Sequence, residues 1–87
     1  MKISEYLKKK DQVDILAQQD KSLALIEINP DIMDGLPCIK GTRIPVYMIL
    51  EMLQDGQSFD SLIKQYPNLN RDKIKAALHF AGLVASL

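Results

Sequence analysis

Two stretches of this 87-residue chain set cations beside groups that hydrogen-bond phosphate oxygens or base edges. The first is Lys40-Gly41-Thr42-Arg43, two cations and a hydroxyl around a glycine whose missing Cβ allows close backbone approach to a phosphate. The second is Asn70, Arg71, Lys73 and Lys75. Arginine reads guanine in bidentate fashion, asparagine reads adenine and lysine neutralises phosphate, so this set suits both base readout and backbone contact on duplex DNA. Each stretch also has a purely structural explanation. Gly41 serves a turn that Thr42 caps, with Arg43 paired to Asp31, Asp34 or Glu51; Arg71, Lys73 and Lys75 around Asp72 form a solvated helix face. The first run lacks the glycine spacing and the lysine-serine ending of a nucleotide-binding P-loop, so nucleotide hydrolysis is not expected.

Other reactive side chains are too few or too scattered for catalysis. The single histidine, His79, lies between Leu78 and Phe80 and reads as a partly buried helix residue. The single cysteine, Cys38, has no second histidine or acid at a telling spacing and reads as a small strand filler. One cysteine excludes an internal disulfide framework, and one histidine beside it excludes the usual structural zinc set; a reducing, cytoplasmic setting fits both. Met33, Met48 and Met52 read as gap-fillers, and Asp55 and Asp60, five apart across Gly56, as helix-end charges. No enzyme activity, metal or cofactor is expected.

Eleven cationic side chains balance eleven acidic ones, so the formal charge is zero. A dedicated nucleic-acid binder draws most of its affinity from a basic excess. Here that excess is local: residues 37–47 and 67–87 each carry a net +2, against −2 in 21–36 and 48–66. With 47% hydrophobic residues the chain can build one modest core, although a chain this short buries only roughly 60% of its unfolded surface. The opening residues are broken by charge too early for a secretory apolar region, and the longest uncharged stretch, residues 76–87, is too short to span a bilayer. Neither export by a visible signal nor a membrane association is expected.

These side chains need positioning elements. Residues 1–22 have a ragged apolar period and read as an N-terminal arm or short helix; residues 23–87 read as one domain. Residues 23–28 are short, aliphatic and closed by Asn29-Pro30, as a strand ended by a turn would be. Its partner is a ribbon over residues 37–45, reversing at Gly41. A helix over residues 46–54 follows, with Pro45 suited to a first helical turn, Val46, Ile49, Leu50 and Leu53 as its apolar stripe, and Gly56 to end it. A second, over residues 58–66, has Ser58 as cap, Asp60 in its first turn and Pro67 as a stop. A third, over residues 71–85, is capped by Asn70 and buries Ile74, Ala77, Leu78, Ala81 and Ala85.

Three short helices joined by tight links have the geometry of a helix-turn-helix unit, whose last helix offers its first residues to the major groove. The groove-facing set is then Asn70, Arg71, Lys73 and Lys75; if Gly56 marks the turn, it shifts to Gln57, Ser58, Ser61 and Lys64. The third helix carries a second apolar row, Ala76, Phe80, Leu83 and Leu87, on a different face. A helix apolar nearly all round must be enclosed. The row is expected to meet a second copy of the chain or another protein, unless Tyr6, Leu7 and Ile15 cover it from within.

From Asn29 to Ala81 the chain resembles the domain of unknown function 433 family, on Gly35, Pro37, Ile39, the run Gly41-Thr42-Arg43-Ile44-Pro45-Val46, Gly56, Tyr66-Pro67, Leu69 and Ala77-Leu78; Leu36 departs from the pattern, where a basic residue often stands. The resemblance implies a mainly α, homeodomain-like three-helix fold with a small N-terminal β element. For short stand-alone members it implies an antitoxin that masks a toxin similar to a PIN-domain nuclease and represses its own operator as a dimer or as the complex. Two alternatives predict different partners: a protein-interaction module without DNA affinity, and a plain transcriptional regulator that binds DNA as a homodimer with no toxin.

Overall fold

The computed structural model describes residues 23–87; the expectations placed on residues 1–22 lie outside them. Two antiparallel strands of two residues each, β1 (Ile26–Glu27) and β2 (Cys38–Ile39), precede three helices, α1 (Val46–Gln54), α2 (Phe59–Gln65) and α3 (Arg71–Ala85). The strand is shorter than the aliphatic run suggests, because Leu23 to Leu25 coil as a turn: the Leu25 carbonyl accepts from the Lys40 N–H at 2.8 Å, and the paired residues are Ile26 and Glu27, opposite Ile39 and Cys38. Between the strands, the Asn29 side chain accepts from the Asp31 N–H at 2.9 Å while its carbonyl accepts from Ile32. This places Pro30 at the second position of a β-turn, where its fixed φ is favourable. Met33, expected as a gap-filler, sits in a left-handed turn ahead of Gly35.

The ribbon reverses where expected. Thr42 N–H donates to the Ile39 carbonyl at 3.0 Å, and Gly41 takes φ +77°, the sign that a type II turn requires at this position. Pro45 stands one residue earlier than a first-turn proline: its ψ of 148° is extended, it bridges back to Cys38, and it precedes α1 as the N-cap. The Val46 N–H donates to the Pro37 carbonyl at 2.9 Å, which ties the start of α1 to the ribbon. At the other end of α1 the Gln57 and Gly56 N–H groups donate to the Met52 and Leu53 carbonyls, with Gly56 at φ +93°. This is a Schellman ending, and it needs a residue that tolerates the left-handed region.

The core unites Leu23, Ile26 and Ile39 from the β element with Ile44, Val46, Ile49, Leu62, Leu69 and the inner face of α3. Met48, Met52, Phe59 and Ile63 pack around it. The inner face of α3 is Ile74, Ala77, Phe80 and Val84, with Ala76 beside it. This corrects the expected stripe: Leu78, at 39% exposure, and Ala85 face outward. The helix is turned so that its inner face falls between the two apolar rows of the sequence, because this orientation buries Phe80 and Val84, whereas the first row offers mostly alanine methyls. His79, expected to be partly buried, is exposed. Among the described residues no helix is long and apolar enough to cross a membrane.

Candidate nucleic-acid interface

The first turn of α3 is built by local bonds. Asn70 has extended backbone and its Oδ1 accepts from the Lys73 N–H at 2.8 Å, satisfying one of the N–H groups that a helix start leaves open. The capping oxygen is thereby engaged. Bidentate reading of adenine needs that oxygen together with the amide nitrogen; the cap takes one of the oxygen's two lone pairs and fixes the rotamer in which Asn70 could meet a base.

Arg71 is also committed. Its Nη2 donates to Asp60 Oδ1 at 3.1 Å, and its guanidinium lies 5.6 Å from the centre of the Phe59 ring. Asp60 and Phe59 open α2, so this contact sets the first turns of α2 and α3 side by side. It is the one ion pair among the described residues, and both partners are well exposed, Arg71 by 58% and Asp60 by 82%. Lys73 Nζ donates to the Asn68 carbonyl at 2.7 Å, bracing the link between α2 and α3. Lys75 is exposed and makes no ion pair with a described residue.

In the ribbon, Thr42 is absorbed by the turn: its hydroxyl donates to the Ile39 carbonyl at 2.7 Å and accepts from the Ile44 N–H at 3.0 Å. Lys40 and Arg43 are exposed on either side of the turn. The pairing of Arg43 with Asp31, Asp34 or Glu51 is not formed. A Cβ on Gly41 would meet nothing within 4 Å, so this glycine is required for its positive φ and not by a crowded neighbour.

The set Gln57, Ser58, Ser61 and Lys64 divides in the same way. Ser58 caps α2 by accepting from the Ser61 N–H, and Ser61 Oγ and Gln65 Nε2 both donate to Gln57 Oε1. Residue types alone do not single out this polar cluster, although the spacing of 57, 61 and 65 is the helical i, i+4 signal that could have found it. Lys64 stays exposed.

The row expected to meet a partner is corrected by the orientation of α3. Ala76 and Phe80 are covered within the chain, at 6% and 4% exposure, Leu83 is half-buried, and only Leu87 is exposed. Among the described residues the exposed large apolar ones are Tyr47 on α1, Leu78 on α3 and Leu87. Leu78 is on α3 and Leu87 lies past the end of that helix, so helical spacing does not join them into one strip.

Burial, and secondarily the Glu27 charge paired with it across the strands, raise the Cys38 thiol above its ordinary value of 9.0. Its Sγ donates to the Leu36 carbonyl at 3.4 Å. It is therefore a protonated core group and not a nucleophile. Among the described residues no group of three or more His, Cys, Asp or Glu is placed to hold a metal.

A family model described as "Protein of unknown function (DUF433)" matches residues 26–81. The uncharacterized protein y4eO of Sinorhizobium fredii (strain NBRC 101917 / NGR234) is 33% identical over 57 residues, 66% of this chain and 26% of that protein. The chain thus spans about a quarter of the length of this curated relative. The crystal structure of a DUF433 member from Anabaena variabilis ATCC 29413 superimposes with a TM-score of 0.68 at 25% identity, covering 99% of this chain and 92% of the other.

Proposed function

The chain belongs to the DUF433 family of proteins of unknown function, and from its own residues we propose that it is a cytoplasmic, non-enzymatic helix-turn-helix protein that binds duplex DNA with the first half of α3. One observation carries this reading: the capped start of α3, bearing Arg71 and Lys73 in its first turn and Lys75 just beyond, is held against the start of α2 by the Arg71–Asp60 contact over Phe59. A helix start supported in this way projects cations and a positive dipole end together, the combination that binds phosphate and can enter the major groove. Lys75 and Lys73 supply the main phosphate contacts, and Lys40 and Arg43 supply further ones from the ribbon turn. Asn70 and Thr42 act mainly by shaping the helix start and the turn.

The antitoxin role is the form of this reading that the family resemblance supports: a dimer, or a complex with a PIN-like nuclease, that represses its own operator. Co-purification with the product of the adjacent gene tests the pairing. The DNA reading is tested by fluorescence anisotropy on the upstream region of its own gene at several salt concentrations. Binding that weakens steeply with salt is expected, and Lys73→Ala/Lys75→Ala should flatten the slope of log K against log salt by about 0.9 for each phosphate that is no longer neutralised. No binding at low salt would refute it. The zero formal charge favours the second reading, a protein-interaction module, which predicts that negative result together with capture of a partner.

A further inference from the structure

We propose that Asp60 is a built-in phosphate mimic that occupies Arg71 in the free protein and yields it to a DNA phosphate on binding. This inference rests on the DNA-binding reading above and adds to it a residue that limits affinity. Arg71 is the one cation of the candidate surface with a carboxylate on it, through a single Nη2–Oδ1 contact of 3.1 Å. Carboxylate and phosphate offer guanidinium the same kind of acceptor, so one oxygen can replace the other without rebuilding the donor.

Two features make the exchange easy. The contact is monodentate and exposed on both sides, which places it among ion pairs of little net strength. Phe59 lies beneath the guanidinium, with Cζ 5.6 Å from the ring centre, a contact that attracts the cation without consuming its hydrogen-bond donors. Removing Asp60 as a partner therefore leaves Arg71 on its aromatic platform at the start of α3. While Asp60 stays in place it cancels one cation of a surface that has few.

The test compares the full chain with Asp60→Asn, Arg71→Ala and the double variant by anisotropy on a labelled duplex across a salt series. Thermal melting confirms that each is folded. Asn keeps the size of the side chain and removes its charge. Asp60→Asn is expected to bind about 2- to 10-fold more tightly at low salt, with the salt slope unchanged, because Arg71 meets a phosphate in both complexes and only its partner in the free protein is lost. Arg71→Ala should abolish that gain, so that the double variant binds like Arg71→Ala alone. Unchanged or weaker binding by Asp60→Asn overturns the inference and leaves DNA binding standing. An equal gain in the Arg71→Ala background also overturns it, because Asp60 would then act by general repulsion. Failure of every form to bind at low salt overturns the DNA reading itself, and this inference with it.

Discussion

Gly56 and Gly82 give a paired substitution whose two halves should move stability in opposite directions. A Cβ added at either position meets nothing within 4 Å, so neither alanine introduces a clash and only the backbone contribution remains. Gly56 sits at φ +93° in the Schellman ending of α1, where an L-residue costs about 1–2 kcal/mol. Gly82 lies inside α3 with no positive φ, where alanine gains about 0.5–1 kcal/mol by restricting the unfolded chain. With an m-value of about 1 kcal/mol/M in urea for a domain of this size, Gly56→Ala should lower the midpoint by roughly 1–2 M and Gly82→Ala raise it by roughly 0.5–1 M. Neither should change m, since the surface exposed on unfolding is the same. Urea titration followed by circular dichroism in the far ultraviolet measures both. A neutral Gly56→Ala would mean that the glycine ending of α1 is not populated, and a destabilising Gly82→Ala would mean that the outer face of α3 is covered in solution.

Two further substitutions separate the roles of single groups. Asn70→Ala removes the cap of α3 and should cost about 1 kcal/mol by the same urea assay; Asn70→Asp keeps the accepting oxygen and the stability, yet weakens DNA binding by placing a negative charge at the helix start. For Cys38, burial raises the folded-state pKa above 9.0, so the unfolded chain releases its proton first as pH rises. Stability should accordingly be unaffected by this group below about pH 8 and should fall as pH climbs past about 9 toward the folded value. Denaturation across roughly pH 7 to 10 should show a decline that is shallower in Cys38→Ala; parallel slopes in the two proteins would contradict it.

The helices are legible in the sequence because their signals are local. Ser58 and Asn70 are caps whose acceptor groups act within three residues, and Gly56 ends α1 by a bond pattern contained in six. The orientation of α3 is not legible. Its two apolar rows flank the true inner face, and the choice between them depends on whether the ribbon and α1 present a space for Phe80 and Val84 or for Leu78 and Ala85. A helical wheel treats each apolar residue alike, whereas the packed core favours the orientation that buries an aromatic ring. The same long-range decision moves Ala76 and Phe80 from an expected partner surface into the core. The shortness of β1 has a related cause: the Leu25 carbonyl accepts from the Lys40 N–H at 2.8 Å, but Leu23 to Leu25 coil as a turn, so only Ile26 and Glu27 continue beside β2.

The candidate site shows why residue type locates cations better than it ranks them. Asn70, Arg71, Lys73 and Lys75 look equivalent in sequence, but three of them have bonds that the fold assigns: Asn70 to its own helix, Lys73 to the Asn68 carbonyl, and Arg71 to an aspartate eleven positions away. The first two lie within five residues and follow from capping and helix geometry. The third depends on how α2 and α3 come together, and no periodicity encodes it. A neutral chain cannot draw on a broad positive field, so its affinity for a polyanion must depend on the few cations at the point of contact. Under the proposed reading the state of one guanidinium matters, and Asp60→Asn measures how far the exposed carboxylate beside it limits the uptake of a phosphate at the helix start.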